Sequence, residues 1–255
     1  MMIHTTHNSS SYFSSVAQLL ESLHCDESQS ISQAADLLAK QIQNDRLVYV
    51  FGVGGHSVIG CEEFFWRAGG LCHISPIFDV SLNLSGGGVK STKLERVPGV
   101  GDKIVQAASV ADGDILIITS IYGMNAATID AALQAKRCGA KIIAITSIDH
   151  ARKTPEDFPA RHPSKINLFE VADVTIDNHV PYGDTIVRIA GVQQTMGAVS
   201  TILVSACVQW LVMETASRVS ALGLEVPVWQ SANTIGGDER NQRYLDRFVP
   251  RIKAL

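Results

Sequence analysis

Two turns in this chain combine residue types and spacing that suit chemistry. The first is Gly52-Val53-Gly54-Gly55-His56-Ser57, between the apolar run Leu47–Phe51 and a helical stretch carrying Glu62 and Glu63. The second is Ser120-Ile121-Tyr122-Gly123-Met124-Asn125, after the apolar run Ile115–Ile118. A buried strand, a Gly-rich turn and a helix start make a place for an anionic ligand, because free backbone N–H groups and the positive end of the helix dipole converge there. Gly54, Gly55 and Ser57 are the candidate ligand contacts of the first turn. The plainer reading is a simple strand-to-helix connection, with Ser57 as an N-cap. Glu62 and Glu63 are the first candidates for acid–base work. Adjacent helical residues point about 100° apart, so only one of them can enter a site. Their plainer reading is a surface glutamate paired with Arg67 at i+4.

The elements that must position these residues follow from apolar periodicity. Residues 11–23 and 27–44 have helical spacing and precede the first strand. Buried-strand patterns recur at 47–51, 71–77, 114–120, 141–147 and 172–177, the last as a fifth strand. Helices are expected at 58–67, 125–137 and 195–222, with Gly139 and Gly223 as stops. Apolar strands alternating with helices predict an α/β fold with a five-stranded parallel sheet covered on both faces. Ligands of such folds bind beyond the C-terminal strand ends, where both turns lie. Residues 79–110 form the least regular part, too long for a passive connection and suited to a lid or binding loop. Its Lys90 and Lys93 are either point charges for an anionic ligand or solvated loop residues. A single domain is expected: a helical part at 11–44, a core at 46–222 and a C-terminal extension at 223–255.

Composition narrows the function classes. The 255 residues are 46% apolar and 18% charged, enough to bury a substantial core. A net charge of −4 gives no basic bias toward nucleic acid. The first residues, Met1–His7, carry no secretory pattern, and no apolar run is expected to span a membrane. The five cysteines have no C-x-x-C spacing and read as reduced thiols of a cytoplasmic protein. A zinc site would need histidines and carboxylates to converge, which spacing alone does not give, so neither metal nor cofactor is expected.

With both strand–turn–helix units in view, the chain resembles the sugar isomerase (SIS) domain family. Gly52–Ser57 with Cys61-Glu62-Glu63-Phe64 is similar to the first loop and Glu-Glu helix of phosphoheptose isomerases, with a shorter interval between glycines and glutamates. Ser120, Gly123 and Asn125 fit the family's Ser-x-Ser-Gly-x-Ser/Thr phosphate loop, while Tyr122 stands where the middle serine would leave room for phosphate. Glu62–Gly70, Ser91–Arg96, Val171-Ala172-Asp173 with Ile176-Asp177-Asn178, and Ser231-Ala232-Asn233…Gly236-Gly237-Asp238-Glu239 look closer to an uncharacterised bacterial branch of SIS proteins. The resemblance implies a three-layer α-β-α sandwich with a doubly wound sheet. It implies a phosphate cradled by Ser120, Asn125 and the N–H groups of Gly123 and Met124, although Asn125 would also serve as a helix cap. It further implies Glu63 as the base of an aldose–ketose isomerase acting on a sugar phosphate through an enediol. The histidine such enzymes carry early in the last long helix is missing from Gln193-Gln194-Thr195-Met196. His56 and His179 are the substitute acids, though a lone loop histidine is usually a surface residue. Asp238-Glu239-Arg240 either reaches a neighbouring subunit or starts the last helix. A homodimer or homotetramer is implied, with no nucleic-acid or membrane partner. A non-catalytic sugar-phosphate sensor and a lyase or etherase acting on an amino- or acidic-sugar phosphate remain open beside the isomerase.

Overall fold

The computed structural model describes residues 10–255; the leader reading of Met1–His7 lies outside them. Two helices, α1 (Ser10–Asp26) and α2 (Ser28–Gln43), lead into β1 (Val48–Gly52) and α3 (Ser57–Phe64). Then come β2 (Ile74–Pro76), a single 3-10 turn at Leu84–Gly86, α4 (Gly88–Leu94) and α5 (Val100–Ala107). The units β3 (Ile115–Thr119) with α6 (Ala126–Arg137) and β4 (Lys141–Thr146) with α7 (Ile148–Lys153) follow. The chain continues through α8 (Leu168–Val171), β5 (Val174–Asp177), β6 (Thr185–Val187), β7 (Met196–Ala198), α9 (Ser200–Ala221) and α10 (Gly237–Phe248).

The five strands β1–β5 form one parallel sheet in the order β2-β1-β3-β4-β5. Its register places Val48 beside Ile115 and Gly52 beside Thr119, so β1 and β3 end level with one another. Side chains alternate between two cores, as a strand's period of two requires. Val48, Val50, Ile117, Ile143 and Ile145 face α2, α3 and α9. Phe51, Leu116, Ile118, Ile142 and Ala144 face α5 and α6. The result is a three-layer α-β-α sandwich. Gly60 allows the close approach of its layers: a Cβ there would sit 2.8 Å from both Thr119 and Val204.

Several elements differ from the expectation. The second strand is three residues long, because Leu71 bridges Val228 and the Cys72 N–H bonds the Pro227 carbonyl. The C-terminal extension thereby takes the first half of the predicted strand. Residues 79–110 are largely helical, through α4 and α5. The predicted helix at 195–222 starts at Ser200, preceded by the antiparallel pair β6–β7. Contrary to the sequence reading, α9 reaches membrane-spanning length and hydropathy, with 22 residues. In the fold it is a core helix, with Leu203, Cys207, Val208 and Leu211 fully buried.

Candidate active site

The strand order changes direction at β1, between β2 on one side and β3 on the other. In doubly wound sheets ligands sit at such a switch point, in the crevice outside the C-terminal strand ends, here those of β1 and β3. Both Gly-containing turns meet there. The Thr119 hydroxyl donates to the Ser57 carbonyl at 2.8 Å, and the Ile121 N–H donates to Ser57 Oγ at 3.1 Å. Ser57 is therefore a strut between the loops.

The second turn is folded on itself. Ser120 Oγ accepts the Gly123 N–H at 3.1 Å and pairs with Thr128 Oγ1 at 3.3 Å. The Gly123 N–H expected to face a phosphate is thus committed to the loop's own serine. Gly123 has φ +62, and a Cβ on it would overlap the buried Thr146 hydroxyl. Asn125 occupies the N-cap position of α6 but makes no side-chain cap bond. The cap comes instead from Glu95, whose carbonyl accepts the Ala127 N–H at 2.9 Å.

Glu95 is the residue that sequence reasoning missed. It directly follows α4, which folds back over the first turn. Ser91 of that helix is fully buried; its hydroxyl accepts the Gly55 N–H at 3.2 Å and donates to the Leu82 carbonyl at 2.6 Å. This clasp carries the Glu95 carboxylate so close to Gly54 that a Cβ there would overlap it. Gly54 also has φ +75, so the position favours glycine twice over. Burial pushes the Glu95 carboxyl up to about 7, against the opposing pull of Arg96 and of the Asn125 side chain. A carboxyl with that pKa exchanges protons near neutrality.

On the other side of the crevice Tyr122 stacks on His150 (centroids 3.8 Å apart), which stacks on Tyr182 (4.8 Å). Burial, Asp184 and Glu95 together push the Tyr122 hydroxyl up to about 12, so it stays protonated. Burial pushes the His150 imidazole down to about 4, so it is neutral at pH 7. Its Nδ1 faces the Gly183 N–H at 3.4 Å, which leaves the proton on Nε2. Asp184 accepts the Val199 and Ser200 N–H groups and the Ser200 hydroxyl, fixing the start of α9 beside this stack.

The structure thus gathers Gly54, Gly55, Ser57, Ser120, Tyr122, Gly123 and Asn125 around the crevice and adds Glu95, Ser91 and His150. His56 is exposed at the N-cap of α3 without a side-chain cap bond. Lys93 is exposed in the last turn of α4. Glu63 lies six residues beyond Ser57, about 9 Å along the helix axis. Its carboxylate accepts from Arg67 Nε at 3.1 Å and from Gln209 Nε2 at 2.7 Å. It links α3 to α9 through Gln209 and also makes the i+4 pair with Arg67 that the spacing allowed. His179 follows β5, two strands from β3, with φ +55. Its ring lies 3.7 Å from Glu27 and 3.9 Å from Asp26, and the Glu27 hydrogen bond raises its pKa. Neither Glu63 nor His179 is gathered with the two turns. A groove of about 880 Å³ lies elsewhere, along the edge strand β2, α5 and the C-terminal residues.

Comparison with known proteins gives one family match: the SIS domain profile matches residues 11–147. A UPF0309 protein of Geobacillus kaustophilus is 36% identical over 96% of this chain and 95% of its own length. A UPF0309 protein of Brucella canis is 36% identical over 96% of this chain and 97% of its own. Among solved structures, a phosphoheptose isomerase from Neisseria gonorrhoeae superposes with a TM-score of 0.52 at 17% identity. That superposition covers 83% of this chain and 96% of the isomerase, a likeness of fold.

Proposed function

This chain belongs to the SIS domain family, and from that premise we propose that it binds a phosphosugar at the β1–β3 switch point and interconverts its aldose and ketose forms through an enediol. The observation that carries the reading is the half-buried Glu95 carboxyl, with a pKa near 7, held against Gly54 between the two turns. Aldose–ketose isomerisation requires a base that takes the proton from the carbon beside the carbonyl and returns it to the neighbouring carbon. A carboxyl near neutrality is matched to both halves of that transfer. Glu95 takes this role in place of Glu63, whose carboxylate is engaged by Arg67 and Gln209. The neutral His150 and the protonated Tyr122 supply hydrogen-bond donors that polarise the carbonyl. The starts of α3 and α6 supply the positive dipole ends for the phosphate.

The proposal includes a homodimer or homotetramer, supported by the exposed apolar residues Phe13, Ile202 and Met213 on α1 and α9. It places the protein in the cytoplasm, with no cofactor or metal and no nucleic-acid or membrane partner.

The test is deuterium incorporation at C1 or C2 of candidate sugar phosphates in heavy water. Glu95→Gln is expected to retain saturable binding and lose exchange by about 10²–10⁴-fold, whereas Glu63→Gln retains exchange. Full exchange in Glu95→Gln overturns the assignment of the base. Saturable binding without exchange in the wild-type protein makes it a sugar-phosphate sensor, and release of a fragment makes it a lyase or etherase.

A further inference from the structure

Two motifs singled out in the sequence, Glu62–Gly70 and the Ser231-Ala232-Asn233…Gly237-Asp238-Glu239 stretch, have no part in the crevice. The fold nevertheless brings them together, where the strands of the sheet begin. The Gly69 N–H donates to the Trp229 carbonyl at 2.8 Å, and the Trp229 N–H donates to the Gly70 carbonyl at 2.9 Å. Between them lies a cleft of about 250 Å³, lined by Trp66, Arg67, Trp229, Gln230, Asn233 and Asn241 among others.

The walls of this cleft are fixed. Asn241 is 5% exposed and spends both ends of its carboxamide on the Gln230 backbone, at 2.9 and 2.8 Å. The Gln230 side chain is held by Arg240 and Thr234. A Cβ at Gly237 would overlap the Ser231 carbonyl, so the start of α10 sits tight against the turn.

The floor is strained and open. Trp66 has φ +52, a left-handed conformation costly for a bulky side chain. Its ring lies 4.6 Å from that of the buried Trp229, yet 48% of Trp66 stays exposed. The indole is held at a backbone cost and left half uncovered. Beside it, Arg67 uses only Nε, on Glu63; its Nη1 and Nη2 have no protein partner among the described residues. The Asn233 carboxamide is likewise exposed and unbonded.

We propose that this cleft is a second ligand site, separate from the crevice, for an anionic monosaccharide. The apolar face of a pyranose ring covers Trp66. The carboxylate or phosphate takes the two free Nη groups of Arg67 in a bidentate pair. Ring hydroxyls meet the Asn233 carboxamide. An aromatic platform with a few convergent polar groups is the usual composition of a small-molecule site.

The test is an NMR titration of the full chain with glucuronate, glucose 6-phosphate and neutral glucose, following the indole N–H signals. The Trp66 signal, assigned through Trp66→Phe, is expected to shift saturably with at least one anionic sugar and about tenfold more weakly with glucose. A stronger response to glucuronate identifies a carboxylate ligand, and a stronger response to glucose 6-phosphate identifies a phosphate. Arg67→Gln, at an exposed side chain, is expected to weaken the anionic response about tenfold. Glu95→Gln leaves that response unchanged, which separates this site from the crevice. The proposal is overturned if the Trp66 signal shows no saturable shift with either anion up to about 50 mM, where even millimolar affinities would register. It is also overturned if Arg67→Gln binds as tightly as the wild type.

Discussion

Glu95 holds its proton nearly to neutrality, and that sets how the protein responds to pH. Its folded pKa of about 7 lies above the ordinary 4.5. Between those values the folded protein keeps a proton that the unfolded chain releases, so this group lowers stability as pH rises through the window. Glu95→Gln removes the dependence. Its melting temperature is expected to exceed that of the wild type by more at pH 8 than at pH 5, as measured by thermal unfolding in matched buffers. A base with this pKa also gives kcat/KM a limb that rises with pH and levels off above about 7. A pH–rate profile of deuterium exchange checks it. Residues 91–96 were visible in the sequence as a family-like stretch, yet a glutamate in an irregular segment reads as a solvated charge. The long-range contacts of Ser91 with Gly55 and of the Glu95 carbonyl with Ala127 give Glu95 its place, and no local spacing encodes them. Glu63 showed the opposite behaviour. Its pairing with Arg67 was legible at i+4, while its distance from the turns depended on where α3 begins.

The legible elements were those with long, strongly periodic cores. Strands β1, β3 and β4 are buried on both faces and stood out as unbroken apolar runs. The short pieces were missed or misplaced because their order depends on distant partners: α4 on Gly55, the β6–β7 pair on each other, and the start of the expected second strand, β2, on the C-terminal residues. Two contacts between elements can be measured. Gly101 of α5 is buried, and a Cβ on it would overlap the Ala127 carbonyl of α6. Gly101→Ala must push the two helices apart. It is expected to cost about 1–3 kcal/mol, read as a lower urea midpoint at an unchanged m-value. Asp184 caps α9 with one carboxylate and three donors. Asp184→Ala is expected to cost about 1–2 kcal/mol, read in the same titration.

Across the whole molecule, two buried histidines make the fold sensitive to acid. Burial pushes both His73 and His150 down to about 4, from an ordinary 6.5. The unfolded chain therefore binds protons that the folded protein refuses between those values. Stability is full above about pH 6.5 and falls as pH drops toward 4, opposite in sign to the Glu95 effect. Urea unfolding at about pH 7.5 and pH 4.5 is expected to show the loss, of order a few kcal/mol for the pair. Replacing His150 by Phe, which keeps a ring between Tyr122 and Tyr182, should remove part of it. His73 belongs to the clasp that closes the chain on itself. Its Nε2 faces Asp45, which also receives Arg247 at 2.7 Å and Arg251 at 2.9 Å. Burial pushes the Asp45 carboxyl up, but Arg251 and Arg247 outweigh it and hold the group at about 2. That clasp was invisible in the sequence, since its members lie some two hundred positions apart.

The proposed base reaches the crevice from outside the strand–helix repeat, on a segment hung between β2 and β3. The architecture therefore separates the scaffold from the acid it presents. The sheet supplies the two turns, and the segment supplies the acid that lies between them. The segment carrying Ser91 and Glu95 docks on both turns at once, through the Ser91 hydroxyl on Gly55 and the Glu95 carbonyl on Ala127. A proton-transfer group delivered in this way can be moved or removed by changes in one loop, while the strands that bury the core stay as they are.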